Sequence, residues 1–257
     1  MPEDSTNHKK RKMEYECSYS EMTPAAAEER LRINFQKLLS EAIPVSQMLA
    51  EAHLGIKSTS DIESTREDAI KRTKERVWGR IVEYLNIEGY PTEASPDFKR
   101  ANVNDLILYI IGPILWDFNI VMDEDDILLR RQKELISTDS KTGGYGEFVL
   151  IDKVSWTKDM LILIIESKPS LGEAIKHCSL AMKDMWDNNA EGRVYGLVTT
   201  GEDWRMLSYD GSIFELTEGF APLFTCTTDG SMGKDRWIKD LVLVDCIIAA
   251  LRRRGLT

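Results

Sequence analysis

Residues 146–168 read Gly-Glu-Phe-Val-Leu-Ile-Asp-Lys-Val-Ser-Trp-Thr-Lys-Asp-Met-Leu-Ile-Leu-Ile-Ile-Glu-Ser-Lys, and this stretch decides the fold. Two apolar runs flank a short polar break, which is the pattern of a β-hairpin. The second run, residues 160–165, is continuously apolar and fits a strand that is buried on both faces of a sheet. This strand ends in charge, because Glu166 and Lys168 follow it directly.

Side-chain alternation along the two strands predicts where the charged residues lie. Glu166 and Lys168 leave the same face of an extended chain, whereas Ser167 points to the other face. With a turn at residues 157–158, an antiparallel register sets Glu147 opposite Lys168 and diagonal to Glu166. The hairpin is therefore predicted to bring two carboxylates and one lysine together.

Such a cluster has a defined chemistry. Two converging carboxylates repel each other unless a cation lies between them, and hard oxygen ligands suit Mg²⁺ or Mn²⁺. A lysine beside the site can orient or deprotonate a water molecule, or stabilise a developing negative charge. Metal-assisted phosphodiester hydrolysis uses all three groups. The alternative is that a Glu-x-Lys sequence at a strand end is a solvated terminus or an exposed ion pair.

The segment after the hairpin has helical periodicity from Ser170 to Asn188. Ser170 is the predicted N-cap, and Glu173 completes a capping box. Small residues beside His177 let the helix approach the sheet, so that His177 can reach toward the carboxylates. The alternative for His177 is a locally hydrogen-bonded side chain. Two strand-like runs follow, at residues 194–198 and 204–209. The apolar positions of the helix are Leu171, Ile175, Cys178, Met182 and Met185 or Trp186.

The order hairpin, helix, strand, strand resembles the core of the PD-(D/E)XK, or restriction-endonuclease-like, phosphodiesterase superfamily. The resemblance rests on the pattern Glu147-x18-Glu166-Ser167-Lys168, followed by a helix with a polar residue at His177. More narrowly, residues 174–185, 194–201 and 204–206 are similar to nuclease-like domains of fungal proteins related to the Crinkler effectors. The resemblance covers roughly residues 102–256.

The resemblance implies an α/β fold, in which helices flank a restriction-endonuclease-like mixed sheet, and catalytic roles for four residues. Glu147 stands where the superfamily usually has the metal-binding aspartate, and Glu166 is the second acidic ligand. Lys168 is the lysine of the motif, and His177 stands where many members have a helix glutamine. The implied cofactor is Mg²⁺ or Mn²⁺ held by Glu147 and Glu166. Asp105 is the nearest candidate for a further acidic residue, in competition with its neighbours Asn102 and Asn104.

Two functional classes remain open. The first is a divalent-metal-dependent nuclease that acts on nucleic acid, with DNA as the expected substrate and little sequence specificity. The second is a catalytically inert nuclease-fold effector or binding module, which engages a protein or a nucleic acid. The longer arm of Glu147 and the imidazole of His177 depart from the family pattern and favour the second class.

Net charge also bears on this choice. A formal charge of −10 repels a polyanion at long range. Lys168, Lys176 and Lys183 on one face would counter this repulsion locally.

Three segments are predicted along the chain. Residues 1–23 are a disordered polar tail, in which the basic cluster at residues 8–12 is either a nuclear localisation signal or a solvated charge run. Residues 24–98 are a helical extension with helices at 24–54 and 64–85, through which a protein partner can bind. Residues 99–257 are the nuclease-like domain, with a helix near 98–116 that Pro113 kinks or ends and another near 235–254.

Several classes of protein and site are disfavoured by the sequence. No apolar signal region or long apolar segment is evident, so neither secretion nor membrane spanning is expected. The Crinkler N-terminal translocation motif is also absent, which argues against export. Four cysteines without paired spacing indicate a reducing compartment, and hence an intracellular protein, with the nucleus as its destination if the basic cluster is a signal. The acidic run at residues 122–126 reads as a solvated loop, and the glycines at 143–146 as a turn before the strand.

Overall fold

The structure is a computed structural model, and it describes residues 15–53, 60–89, 100–122, 127–155, 158–189, 192–222 and 232–252. It is an α/β fold with a seven-stranded mixed sheet flanked by helices. The elements in chain order are β1 (Cys17–Ser18), α1 (Pro24–Leu31), α2 (Phe35–Ser40), α3 (Val45–His53), α4 (Ser60–Glu88), α5 (Arg100–Met122), β2 (Ile127–Ile136), β3 (Thr142–Ser155), β4 (Lys158–Ser167), α6 (Leu171–Asn189), β5 (Val194–Thr199), β6 (Trp204–Tyr209), β7 (Phe214–Leu216), α7 (Met232–Asp240) and α8 (Val242–Arg252).

The predicted hairpin is confirmed as β3 and β4, and it lies at the centre of the sheet. The strand order is β1-β3-β4-β5-β6-β7, and β2 also pairs with β3. Helix α6 crosses from β4 to β5, which makes these two strands parallel, whereas β3–β4, β5–β6 and β6–β7 are antiparallel. Two parallel neighbouring strands are usually joined by a crossover helix, because a tight turn would leave the second strand running antiparallel to the first.

Both faces of the central strands are buried, as the apolar runs predict. On one face, Phe148 and Ile165 belong to a hydrophobic cluster with Ile107 of α5 and residues of α3, α4, α7 and α8. On the other face, Val149 and Ile164 belong to a second cluster with apolar residues of α1 and α6. The sheet is therefore the middle layer of three, and α5 and α6 approach the same hairpin from opposite sides.

The helical segment predicted as an extension is part of the main core. Met48 of α3 and Val77 and Ile81 of α4 are fully buried in the same cluster as Ile107 and Phe148. The predicted division near residue 98 is therefore not a division between separate hydrophobic cores.

The single helix predicted for residues 24–54 is wrong, because three helices lie there. Thr23 caps α1 as expected, and its side chain accepts a hydrogen bond from Ala26 N. Arg32 then adopts a left-handed conformation with φ 56°, which ends α1. Asn34 caps α2 by accepting from Lys37 N at 2.7 Å. These two signals override the apolar periodicity.

The segment at residues 15–23 belongs to the fold, so the predicted polar tail is wrong there. Strand β1 pairs with the start of β3, and Tyr19 is buried. Gly143 and Gly144 lie inside β3 and not in a turn, and a Cβ on either would overlap the ring of Tyr15 or Tyr19. Residues 1–14, with the basic cluster at 8–12, lie outside the described residues.

Helix α5 runs through Pro113 to Met122, beyond its predicted end. Ile110, Ile111 and Ile114 are fully buried around the proline, and this packing compensates for the lost backbone hydrogen bond. By length and composition α5 is apolar enough to span a membrane, but half of the relevant window is buried inside the protein, as in a core helix. The predicted C-terminal helix is divided at Leu241 into α7 and α8. Residues 123–126 of the acidic run lie outside the described residues.

Gly196 of β5 allows α6 to pack closely on the sheet. A Cβ at this position would overlap Cys178 Sγ and Met182 Sδ. We expect Gly196→Ala to lower the free energy of unfolding by about 1–3 kcal/mol, because both sulfur-containing side chains must move. Urea denaturation measures this change.

Gly79→Ala in α4 is the matched control for Gly196→Ala. Gly79 is exposed, and nothing lies within 4 Å of its Cβ position. Alanine in a helix interior is expected to raise the free energy of unfolding by about 0.5–1 kcal/mol. Effects of the same sign for the two substitutions would contradict the close approach of α6.

Candidate functional site

The candidate site lies where β3 and β4 separate. Their ladder ends at the Phe148–Ile165 pair. Just beyond it, Glu147 N donates a hydrogen bond to Glu166 Oε1 at 3.1 Å, and Ser167 N donates to Glu147 Oε2 at 3.0 Å. Each glutamate carboxylate thus accepts from a main-chain amide of the opposing strand. We call this region the strand break, defined by Glu147, Glu166, Ser167 and Lys168.

The predicted register of the hairpin is wrong by two residues. Ser155 pairs with Lys158, so the turn lies earlier than predicted, and the ladder is shifted at two further places. Continuing the ladder from the Phe148–Ile165 pair sets Glu147 opposite Glu166 rather than Lys168. Because the error is an even number of residues, each β4 side chain stays on the face of the sheet that was predicted for it.

The two carboxylates reach the strand break from opposite sides of the sheet. Gly146 faces Val149 and Ile164, which lie on the α6 side. Glu147 turns the other way and contacts Arg100 and Asn104 of α5. Opposite this position, Gln132 of β2 has a positive φ of 50°, and the β2–β3 ladder has no Cα pair there.

The carboxylate of Glu147 is buried and hydrogen-bonded at both oxygens. Its Oε1 accepts from Arg100 Nε at 2.9 Å and from Asn104 Nδ2 at 2.8 Å. Its Oε2 accepts from Ser167 N at 3.0 Å. Ser167 Oγ lies 2.8 Å from both Glu147 Oε2 and Asn104 Oδ1, and its one hydrogen can be donated to only one of them at a time. Burial raises the pKa of Glu147, but the hydrogen bonds from Arg100, Ser167 and Asn104 outweigh it, and the net pKa is lowered.

The carboxylate of Glu166 is also buried, and its two oxygens have different partners. Oε1 accepts from Glu147 N, whereas Oε2 is approached by a charged side chain. Lys168 Nζ lies 3.0 Å from Oε2 and forms an ion pair. Burial raises the pKa of Glu166 more than Lys168 lowers it, and the negative charge of Glu147 raises it further.

His177 of α6 lies near Lys168 but is not joined directly to either carboxylate by a described hydrogen bond. Its Nε2 is 3.7 Å from Glu173 Oε2, and Tyr19 meets its ring edge-on, with 6.5 Å between the centroids. Burial, followed by the positive charges of Lys168 and Lys176, lowers the pKa of His177 to about 4. The imidazole is therefore neutral at neutral pH, with one donor and one acceptor nitrogen.

Three contacts of the site were not predicted. Asp105 is exposed, and its neighbour Asn104 contacts Glu147 instead. Ser167 contacts Glu147. Alternation along β4 does place the Ser167 side chain on the face opposite Glu166, but it does not indicate this contact. Arg100 also binds Glu147, and the local sequence gives no signal for this contact, which depends on where α5 packs.

The predicted lysine-lined face is not formed. Lys176 is buried, and its Nζ donates to Met22 O at 2.9 Å and lies 2.9 Å from Glu173 Oε2. Lys183 forms an ion pair with Asp187. Of the three lysines, only Lys168 lies at the strand break.

The donor set for a metal is small. Within the described ranges, no group of three or more His, Cys, Asp or Glu residues is arranged to hold a metal ion. The described cysteines, Cys17, Cys178 and Cys246, are free thiols, and Cys226 lies outside the described residues. A metal site here would therefore rest on Glu147 and Glu166 alone.

A second buried carboxylate, Asp184 of α6, joins the N-terminal segment to the sheet. Tyr19 Oη donates to Asp184 Oδ2 at 2.7 Å, and Thr142 Oγ1 donates to the same oxygen at 3.1 Å. Arg30 lies 3.7 Å from Oδ1. Burial raises the pKa of Asp184 to about 6, although the Tyr19 hydrogen bond and the charge of Arg30 oppose the rise.

Asp184 is expected to make the stability depend on pH. Its pKa is about 6 in the folded chain and 3.8 as the reference value, so the folded state binds the proton more tightly. The protonated Asp184 carboxyl therefore stabilises the folded state fully below pH 3.8, and this contribution is lost as the pH rises through 6. Relative to wild type, Asp184→Asn should gain up to about 3 kcal/mol between pH 4 and pH 7.5.

The measurement is urea denaturation of both chains at several pH values, with Asp240→Asn as the control. Asp240 is exposed, and its substitution removes one carboxylate at the surface without touching the buried cluster. Any cost of the asparagine that is independent of pH cancels in this comparison. A constant difference for Asp184→Asn would show that the buried carboxylate does not titrate near pH 6.

No protein-family model matches this chain, and no curated protein matches it in sequence. The function is therefore inferred from the chemistry of the strand break.

Proposed function

We propose that this chain is a divalent-metal-dependent nuclease of the PD-(D/E)XK kind, which hydrolyses phosphodiester bonds in DNA with little sequence specificity. The observation that carries the proposal is the juxtaposition of two buried carboxylates and a largely buried ammonium group at the strand break, where Lys168 Nζ lies 3.0 Å from Glu166 Oε2. Buried carboxylates that lie close together repel each other. A divalent ion bound at the strand break would offset that repulsion.

The carboxylates at the strand break are the ligand type that Mg²⁺ and Mn²⁺ prefer. Mg²⁺ is usually bound by one or two carboxylates and keeps several of its water molecules. Glu166 would be one ligand and Glu147, which reaches the strand break from the α5 side, would be the second. When bound, the metal supplies Lewis-acid activation of water and neutralises charge on the phosphate.

The side chains around the carboxylates have distinct roles in this proposal. Lys168 positions the attacking water or stabilises the negative charge that develops on the phosphate. His177 is neutral, so it orients the substrate phosphate or the lysine as a hydrogen-bonding group rather than as a cation. Asn104 and Ser167 hold the carboxylate of Glu147 in place.

The second candidate is a catalytically inert nuclease-fold module that binds protein or nucleic acid. It is favoured by the carboxylate of Glu147, whose two oxygens already accept hydrogen bonds from Arg100, Asn104 and Ser167. In this role Glu147 would simply fasten α5 to the central hairpin. A protein partner that binds the N-terminal helices would belong to this function.

The test is a cleavage assay on the purified full chain. Supercoiled plasmid, linear duplex and single-stranded DNA, and RNA are incubated with Mg²⁺ or Mn²⁺, and parallel reactions contain EDTA. We expect cleavage of DNA that requires the metal and does not depend on sequence. An absence of cleavage of every substrate in either metal would favour the inert module.

A further inference from the structure

Arg100 differs from the other residues that bind Glu147. Ser167 N belongs to the main chain, and the side chain of Ser167 is buried. Asn104 is fixed on both sides, because its Nδ2 donates to Glu147 and its Oδ1 lies 2.8 Å from Ser167 Oγ. Arg100 is the first residue of α5, and half of its side chain is exposed to solvent. Of these contacts, the one to Arg100 is the easiest to break.

A metal ion and Arg100 would compete for the same carboxylate. Arg100 Nε lies 2.9 Å from Glu147 Oε1, on a carboxylate whose oxygens are all hydrogen-bonded. A divalent ion can bind this group only if a donor leaves, and two cations on one oxygen repel each other. Glu166 Oε2 also has a cation beside it, but Lys168 is largely buried and stays at the strand break in the proposed mechanism, so Arg100 is the cation that must leave.

We propose that Arg100 is a built-in counter-ion that a divalent metal displaces from Glu147, so that this ion pair sets the metal affinity of the site. Arg100 has this role only in a site that binds metal, so it rests on the proposed function. The protein then holds Glu147 ionised and in position when the metal concentration is low. Metal binding exchanges the guanidinium for the ion, and the freed guanidinium remains at the solvent-exposed start of α5.

The test is Mn²⁺ binding by the full-length chain, measured by calorimetry and by the electron paramagnetic resonance signal of free Mn²⁺. Arg100→Gln should bind Mn²⁺ about tenfold more tightly than wild type, or more, because the competing charged hydrogen bond is absent. Arg100→Lys keeps the positive charge without the planar guanidinium and should fall between the two. Circular dichroism establishes that each variant is folded.

Arg80→Gln is the matched control. The exposed fraction of the Arg80 side chain is almost the same as that of Arg100, 52% against 50%, and Arg80 Nη1 lies 2.8 Å from Glu83 Oε2. Its substitution removes an arginine–glutamate pair and one positive charge far along α4, so Mn²⁺ affinity should not change. In a Glu147→Asp background, which keeps the carboxylate but shortens the arm that reaches Arg100, Arg100→Gln should no longer tighten binding, because the two substitutions act through one contact.

Each outcome bears on the proposal. Tighter Mn²⁺ binding by Arg100→Gln, lost in the Glu147→Asp background and absent in Arg80→Gln, supports it. If wild type binds Mn²⁺ and cleaves DNA but Arg100→Gln binds no more tightly, the counter-ion role is overturned and the nuclease function stands. If neither wild type nor Arg100→Gln binds Mn²⁺, both are overturned.

Discussion

Lys168→Ala is expected to lower the rate of metal-dependent DNA cleavage by roughly 10²–10³-fold, while the chain still folds and binds Mn²⁺. Lys168 Nζ lies 3.0 Å from Glu166 Oε2, and its side chain is largely buried, so the charge is held in place at the strand break. A fixed charge of this kind stabilises the transition state more than the bound substrate, so the loss should appear in kcat. Single-turnover cleavage of a labelled duplex measures the rate directly.

Lys183→Ala is the control for this experiment. Lys183 is also on the α6 side of the sheet but is bound to Asp187, away from the strand break. Its substitution removes the same positive charge from the protein, so any general effect of charge on DNA binding appears in both variants. If Lys168→Ala and Lys183→Ala cleave equally fast, Lys168 has no role in the chemistry.

The central part of the fold is predictable from the sequence because its signals are local. The continuous apolar run of β4 requires burial on both faces, and the structure has it. The helix after the hairpin is found by its apolar spacing and by Ser170, whose Oγ accepts from Glu173 N at 3.3 Å. Together these elements establish a mixed sheet with helices on it. The finer assignment to the restriction-endonuclease-like fold stays a proposal.

The N-terminal segment was not predictable because its stabilising contacts are distant in sequence. Tyr19 can be buried because Gly144 of β3 leaves room for its ring and because Asp184 of α6 accepts a hydrogen bond from its hydroxyl group. No composition rule for residues 15–23 contains this information. The end of α1 at Arg32 and the start of α2 at Asn34 do have local signals, but the apolar spacing continues across both residues and predicts one helix.

The site was predictable in its residues but not in its geometry. Alternation along β4 correctly separates Glu166 and Lys168 from Ser167. The position of the Glu147 side chain depends on the irregular pairing of β2 with β3 at Gln132 and on the packing of α5, neither of which a strand pattern can indicate. The longer arm of glutamate, a departure from the family pattern, is what reaches Arg100 in this structure.

Glu166→Gln is expected to abolish both metal binding and cleavage while the fold is retained. Glutamine keeps the acceptor oxygen for Glu147 N, so the main-chain hydrogen bond at the strand break survives. The substitution leaves the largely buried Lys168 without its ion-pair partner, which lowers stability, so circular dichroism is used to establish that the variant is folded. A neutral amide binds Mg²⁺ or Mn²⁺ far more weakly than a carboxylate.

Thermal denaturation with and without Mn²⁺ separates these effects. At a free Mn²⁺ concentration of about 100 times Kd, binding should stabilise wild type by about 2.7 kcal/mol, and this stabilisation should vanish in Glu166→Gln. Glu134→Gln on the exposed face of β2 is the control, and it should keep the full metal-dependent shift. A Glu166→Gln chain that is stabilised by Mn²⁺ as strongly as wild type would place the metal elsewhere. In that case the Glu166–Lys168 ion pair would be a purely structural feature, and the nuclease proposal would lose the observation that carries it.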